Sequence, residues 1–447
     1  MSKVFERCVY NKIAPHLIEQ IHNLQHGFMK GFSTTTQLLQ VYDEINAIID
    51  NRGQVDTVFL DFSKAFDSIP HDLLIHKIQT FGIDGKLHLW LKDYLSNRQQ
   101  RVVIEGEKSV FVPVLSGVPQ GSILGPLLFL LYINDLPSVI SHSSKMALYA
   151  DDAKLYRPIE TLSDSLSLQS DLDNIIEWSK SWQLKFNLKK CSIITFSRKR
   201  NNIHFYYNMN GFVLKHEQSI KDLGVTVESD LSWDKHIESV VKKAYNVLWF
   251  LKRTLRNSVN SSVKSIFYTS LVRPHLEYGS IIWSVITKKN LKLLERVQRQ
   301  ATNYIIGDSS LDYKSRLKIC DMLPLSYRRE ILDINFLYRS IHRNTLSIIL
   351  DKIRFSGRRG KLLINDVNLG LLLIQNANSE IYKHFYTHRI VPLWNSVPCD
   401  IRSLEFRRNG AQFKRHLRDY FRKLVIERFD SENMCTWVSK CRCSNCR

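Results

Sequence analysis

Three carboxylates are the residues in this chain best placed to do chemistry. Tyr149-Ala150-Asp151-Asp152 stands between two short apolar runs, Met146 to Tyr149 and Ala153 to Tyr156. That pattern predicts a β-hairpin with two adjacent acids at its tip. Adjacent carboxylates repel, and protonation or a cation relieves the repulsion. A third acid, Asp61, ends the apolar run Val58-Phe59-Leu60 within a predicted buried strand from Val55 to Phe62. Asp61 and Asp151 are ninety residues apart in the chain, so they meet only if the two strands lie side by side. Three converging carboxylates suit a pair of Mg²⁺ ions about 3.5–4 Å apart. Magnesium takes oxygen ligands and keeps several waters, which leaves room for substrate phosphates. Such a pair lowers the pKa of an attacking hydroxyl and neutralises a leaving pyrophosphate, which is the chemistry of nucleotidyl transfer. Acid pairs also occur at solvated turns with no chemical role, so the surrounding sequence has to decide.

Those acids need strands behind them and helices packed over the strands. Ser33-Thr34-Thr35-Thr36 supplies N-cap chemistry, and Leu38, Leu39, Tyr42, Ile45, Ile48 and Ile49 follow at helical spacing until Arg52-Gly53. Pro70 opens another helix, with Leu73, Leu74, Ile75 and Ile78 on its apolar side. A short helix is predicted from Lys86 to Leu95, and paired strands from Gln100 to Glu105 and Ser109 to Leu115. Gly117-Val118-Pro119-Gln120-Gly121 reads as a loop leading into a helix from about Ser122 to Asn134. Asp164 to Trp182 reads as a long amphipathic helix and Ser192 to Phe196 as a further strand. After about residue 226 the character changes. His236 to Leu255, Ser262 to Val272, Asn290 to Ile306 and Pro324 to Ile341 are predicted helices with Lys and Arg on their outer faces. The stretch from Arg402 to Arg447 is basic and interleaves Phe406, Phe413, Tyr420, Phe421 and Phe429. The fold class is therefore α+β, with strands concentrated in the first half.

Composition narrows the partners. The 447 residues carry 63 Lys and Arg against 43 Asp and Glu, a net charge of +20. That surplus points first to nucleic acid and second to an anionic membrane surface. A 44% hydrophobic content supplies ample core and rules out a disordered chain. At roughly 150 residues per domain, about three folded units are expected. The most apolar run, Leu124 to Ile133, contains Gly125 and Pro126 and falls far short of the ~20 residues a membrane span needs. Lys3, Glu6, Arg7 and Lys12 leave no apolar signal-peptide core in the first twelve residues. An intracellular protein, nuclear or cytoplasmic, is the expectation. The scattered Cys8, Cys191, Cys320 and Cys399 suit reduced thiols.

Taken together, the motifs resemble those of reverse transcriptases, and more narrowly those of jockey-like non-LTR retrotransposons. Phe59-Leu60-Asp61-Phe62-Ser63-Lys64-Ala65-Phe66-Asp67 is similar to the first catalytic strand of that family. Ser116-Gly117-Val118-Pro119-Gln120-Gly121-Ser122 resembles its template- and nucleotide-contacting loop, and Tyr149 to Asp152 its catalytic hairpin. Gln25-His26-Gly27-Phe28-Met29-Lys30-Gly31-Phe32-Ser33-Thr34 is similar to the non-LTR fingers motif. Leu184 to Phe196, with Asn187, Lys189, Lys190 and Cys191, resembles the following palm motif, and Leu223-Gly224-Val225 the turn at the palm–thumb border. Six motifs in the family's order along the chain, from residue 1 to about 225, make the likeness specific. Arg273 to Gly279 and Trp283 resemble downstream elements more weakly.

The resemblance implies a right-hand polymerase fold. Residues 1–55 would be partial fingers and 56–225 an antiparallel palm, followed by a helical thumb at 226–306 and a basic helical C-terminal region at 307–447. It implies RNA-directed DNA polymerisation: a DNA 3′-OH, from a primer or nicked target DNA, extended on an RNA template with deoxynucleoside triphosphates. Two Mg²⁺ ions would serve, with Mn²⁺ as a substitute. Asp61, Asp151 and Asp152 would be the metal-site carboxylates, Asp61 and Asp151 the more direct ligands, with the Phe62 carbonyl assisting. Phe66 matches the aromatic steric gate that collides with a ribose 2′-OH; ordinary core packing is its other reading. Gln120 and Gly121 would lie against nucleotide and template. Lys190 or Lys189 would give a proton to pyrophosphate, unless it is a plain solvated lysine. Lys242, Lys243, Lys252, Arg253 and Arg256 would hold nucleic-acid phosphates from a thumb helix.

Family members carry a fingers strand with a triphosphate-gripping basic residue ahead of the segment corresponding to Ser2 to Arg7, so an N-terminally truncated chain is expected. A catalytically inactive nucleic-acid-binding remnant and an RNA-directed RNA polymerase stay open as alternatives; Phe66 argues against the second. Cys435, Cys441, Cys443 and Cys446 lack the repeated spacing of a structural zinc site and have no His among them. Frayed terminal sequence is the expectation there.

Overall fold

Strand β1 (Gln54–Asp61) is the axis of the first half of the chain. It is followed by four two-residue strands, β2 (Gln99–Gln100), β3 (Val103–Ile104), β4 (Glu107–Lys108) and β5 (Val112–Pro113). The long hairpin of β6 (Lys145–Tyr149) and β7 (Asp152–Pro158) comes next, then β8 (Ser192–Ser197), β9 (Asn208–Met209), β10 (Phe212–Val213) and β11 (Lys215–His216). One five-stranded sheet results, in the order β11-β8-β1-β7-β6. Its β1 is antiparallel to both β7 and β8, and only β11 runs parallel to its neighbour. β1 is central because it is apolar on both faces; Val55, Val58 and Leu60 are all buried. Its buried Asp56 is satisfied by the hydroxyls of Tyr207 and Thr195, each at 2.8 Å.

The computed structural model describes residues 2–255, 259–283, 287–343, 353, 371–373, 376–404 and 410–428. The chain divides into two compact units, residues 1–37 with 52–218 and residues 38–51 with 219–447. The first unit packs six helices around the sheet: α1 (Ser2–Ile18), the start of α2 (Thr34–Asp50), α3 (His71–Thr80), α4 (Gly85–Leu95), α5 (Gly125–Ile133) and α6 (Leu162–Ser181). α5 is apolar all round and is buried from Leu127 to Ile133, as such a helix must be. It begins three residues later than the sequence predicts. Ser122 Oγ accepts the Gly125 N–H at 2.8 Å, so a turn occupies the first positions. The paired strands predicted at 100–115 shrink to two-residue ladders, β2 with β5 and β3 with β4. All four are exposed, so no core extends the pairing.

The second unit opens with the hairpin of β12 (Ser219–Asp222) and β13 (Val225–Glu228). Helices α7 (Asp234–Thr254), α8 (Ser261–Phe267), α9 (Arg273–Glu277), α10 (Lys288–Ile306), α11 (Tyr313–Ile319) and α12 (Leu325–Arg343) follow. α13 (Glu380–Lys383), α14 (Tyr386–Ser396), α15 (Cys399–Arg402) and α16 (Ala411–Arg428) complete it. The rest of α2, from Leu38 onward, belongs to this unit. Tyr42 donates its hydroxyl to Asp222 at 2.6 Å, and Asp50 accepts backbone N–H groups from Asn378 and Ser379 at 2.8 and 2.6 Å. The tail aromatics turn inward: Phe413 stacks on Tyr338 at 3.7 Å, and Phe421 meets the edge of Tyr327. Both are buried core residues. Phe406, Phe429 and the four terminal cysteines lie outside the described residues. Among the described residues no helix is long and apolar enough to cross a membrane.

Candidate active site

The register of the sheet brings the acids together. Asp61, the last residue of β1, is the cross-strand partner of Asp152, the first of β7. Directly opposed residues share one face of a sheet. Tyr149 pairs with Asp152 across the hairpin, so Ala150 and Asp151 form a two-residue turn beyond it. Asp61 Oδ2 is shielded from solvent and accepts no hydrogen bond. Lys190 Nζ lies 3.4 Å from it, although the lysine side chain is 66% exposed. Burial raises the pKa of the Asp151 carboxyl; its own backbone N–H opposes the rise, and the charge of Asp61 adds to it. Two acids short of partners and mutually repulsive are a fit for a divalent cation. Among the described residues no three His, Cys, Asp or Glu side chains form a ready cage. An ion here would complete its shell with backbone, water and phosphate oxygens, as magnesium habitually does.

The backbone around Asp61 is arranged to spare one such oxygen. Phe62 bridges to Phe186, and the two rings stack at 4.4 Å. The hydrogen bonds of that bridge run from Ser63 N–H to Lys185 C=O (2.8 Å) and from Asn187 N–H to Asp61 C=O (2.7 Å). The Phe62 carbonyl takes no part in them. Cys191 sits buried beside the strand end, its Sγ accepting the Asp61 N–H at 3.5 Å.

A support that the sequence reading missed holds the hairpin tip. Gln25 is 3% exposed, and its Oε1 accepts the N–H groups of both Gly27 (2.7 Å) and Ala150 (2.9 Å). The segment lies against Leu148 as a parallel bridge, with His26 N–H on Leu148 C=O at 2.9 Å and Leu148 N–H on Leu24 C=O at 3.2 Å. Ala150 has φ +54°, a left-handed conformation that costs an alanine energy and needs outside support. A Cβ on Gly27 would stand 2.3 Å from the Ala150 nitrogen, so only glycine fits there. The signal was present in Gln25-His26-Gly27, but nothing local says that its partner is 125 residues away.

The other motif residues form a second cluster. Phe66 is half-buried, stacked on Phe129 at 4.2 Å and edge-on to Phe28 at 6.1 Å. The loop from Ser116 to Gly121 is tied to it. Val118 N–H reaches Phe66 C=O at 2.8 Å, Ser116 Oγ donates to Asp67 C=O at 2.8 Å, and Gln120 Nε2 donates to Asp67 Oδ1 at 2.7 Å. Gly117, at φ +87°, would press a Cβ to 2.6 Å from Asp67 Cα. Gly121, at φ +76°, faces open space.

Residues 1–227 match the sequence pattern described as reverse transcriptase (RNA-dependent DNA polymerase). The chain belongs to the reverse transcriptase family. Among its relatives is the RNA-directed DNA polymerase from mobile element jockey of Drosophila melanogaster, 28% identical over 320 residues, which cover 69% of this chain and 34% of the relative. The probable RNA-directed DNA polymerase from the X-element transposon of the same fly is 29% identical over 326 residues, again 69% and 34%. The chain thus spans about a third of the length of the curated relatives it matches. Telomerase from Candida tropicalis, solved with a telomeric RNA fragment, has a TM-score of 0.40 and 11% identity, covering 94% of this chain and 56% of the telomerase.

In this reverse transcriptase chain the predicted thumb-helix cations divide. Lys242, Lys243 and Arg253 are exposed on α7. Lys252 is half-buried over the rings of Trp249 (4.6 Å) and Tyr304 (5.9 Å), and burial lowers its pKa. Arg256 lies outside the described residues.

Proposed function

We propose that this chain is the polymerase portion of a non-LTR retrotransposon protein, extending a DNA 3′-OH on an RNA template from deoxynucleoside triphosphates. The observation that carries the reading is the pairing of Asp61 with Asp152, with Asp151 on the braced turn beside them. In this reading residues 1–225 work as partial fingers and palm, 226–306 as thumb, and 307–447 as a basic helical extension. The family uses divalent metals. Here Asp61 and Asp151 would hold two Mg²⁺ ions, with Asp152 and the Phe62 carbonyl alongside. When bound, such ions lower the pKa of the primer hydroxyl and neutralise the leaving pyrophosphate.

The rest of the work falls to the chain itself. Gln25 and Gly27 hold the turn so that the Asp151 carboxylate stays opposite Asp61. Lys190 offsets the charge of Asp61 and would protonate the departing pyrophosphate. The Phe129 stack keeps Phe66 from yielding to a ribose 2′-OH, which favours deoxynucleotides. Gly121 leaves the backbone open to a nucleotide. Lys242, Lys243, Lys252 and Arg253 would draw in template and primer phosphates. These partners imply work inside the cell, in nucleus or cytoplasm.

Primer extension on an RNA template tests the proposal. The chain should incorporate deoxynucleotides in preference to ribonucleotides, and Asp151→Asn should lose about a thousand-fold or more in rate. Equal rates for parent and variant would overturn the metal-site assignment. Salt-sensitive RNA binding without incorporation would point to an inactive remnant, and a preference for ribonucleotides to an RNA-synthesising enzyme.

A further inference from the structure

We infer that the groove between α7 and α10 is a base-stacking site for single-stranded nucleic acid. The inference deepens the polymerase reading, from which it takes the ligand class. Glu238, Lys242, the pair Tyr245 and Asn246, and Trp249 follow one another at three- to four-residue steps and so share one face of α7. With Leu293 and Gln300 of α10 they line a cavity of about 500 Å³. That is room for a nucleotide rather than for a single ion or water.

Two features specify the occupant. Trp249 is 52% exposed, so a large flat π-face is offered to solvent with the Lys252 ammonium 4.6 Å from its centre. The rim is cationic: Lys242, Lys243 and Arg253 on α7 and Arg296 on α10 are exposed, against the acid Glu238. An acyl chain or an aliphatic side chain brings no phosphate to that rim. A duplex would bring phosphates to the rim but no free base face to Trp249. A single strand supplies both, and every base has a face to stack.

Anisotropy titrations of the whole chain test this, using three dye-labelled probes: a uridine oligonucleotide, an abasic strand of equal length and a blunt duplex. A thymidine oligonucleotide adds the DNA arm. Trp249→Ala should weaken binding of the base-bearing strands roughly ten-fold or more, while the abasic strand and duplex stay within about two-fold. Replacing Lys242 and Lys243 by Gln should weaken all probes and flatten the salt dependence. Trp249 is half exposed, so its variant should fold, as the thermal midpoint checks. The inference is overturned if the parent does not bind the single strands, if Trp249→Ala leaves them unaffected, or if all probes weaken equally. Asp151→Asn should bind every probe like the parent. Trp249-dependent binding without nucleotide incorporation would leave the groove standing and remove the polymerase reading. Incorporation without Trp249 dependence would do the reverse.

Discussion

Asp151 in the first unit and Asp333 in the second are both carboxylates whose pKa burial raises. Their surroundings differ. Asp333 Oδ2 receives Arg389 Nε at 2.9 Å, and its Oδ1 receives Arg389 Nη2 at 3.1 Å. Glu295, on α10, is treated alike: it accepts the Tyr313 hydroxyl and the Leu325 N–H. Asp151 instead faces another acid, and Asp61 Oδ2 accepts no hydrogen bond and has only the exposed Lys190 ammonium 3.4 Å away. A raised carboxyl pKa therefore does not separate structural acids from reactive ones. The inventory of partners does. Acids that hold this helical core together have their donors supplied, whereas the acids proposed here for chemistry are left short, and the fold carries that cost in a rigid support.

Removing the partner of one acid and the charge of the other is the strongest way to break this comparison. Arg389→Ala leaves Asp333 buried without its hydrogen-bonded cation and should cost about 3–5 kcal/mol in urea unfolding. Asp151→Asn removes a repulsion, so its unfolding midpoint should equal or exceed that of the parent while polymerisation collapses. If both variants unfold equally early, the distinction is gone. A buried base in the second unit extends the comparison. His236 accepts the Thr226 N–H at its Nδ1, its Nε2 is buried without a partner, and burial lowers its pKa to about 4, with Lys243 adding to the effect. The unfolded chain takes up a proton near pH 6.5 that the folded chain refuses until about pH 4. Stability should thus fall by roughly 3 kcal/mol as pH drops through that window and level off below it. His236→Gln should flatten the slope in unfolding curves measured across the same range.

Smaller effects sharpen the picture of the first unit. Gly27→Ala should displace the hairpin turn and reduce primer extension roughly ten- to hundred-fold, because small misplacements of reacting groups are expensive. A variant as active as the parent would remove the cradle from the mechanism. Lys190→Gln should have the mildest consequence, less than about ten-fold in rate. Its exposed pairing with Asp61 is worth under about 1 kcal/mol, so the unfolding midpoint should scarcely move.

Much of the first unit is legible before folding. A strand buried on both faces is a run of apolar residues, and β1 from Gln54 to Asp61 reads that way. The hairpin tip is marked by its acids, and α2 by Ser33, whose Oγ accepts the Thr36 N–H at 3.3 Å while Thr36 Oγ1 accepts the Ser33 N–H at 2.8 Å. Lys77 was not legible. A lysine in an amphipathic helix reads as solvent-facing, yet Lys77 is 4% exposed, 2.6 Å from Asp135 and 3.6 Å from the centre of the Trp182 ring. Burial brings its pKa down to about 8. Nor did composition distinguish Phe413 and Phe421, which pack inward, from aromatics meant for a ligand.

Periodicity and motif order belong to the sequence, because they arise between residues a few positions apart along one chain. They determined the elements, the family likeness and the identity of the three acids. Tertiary structure decided the register that sets Asp61 against Asp152, the reach of Gln25 to Ala150 and the division of α2 between two units. Each of those depends on which distant groups become neighbours once water is excluded, and chain-local patterns carry no record of that choice.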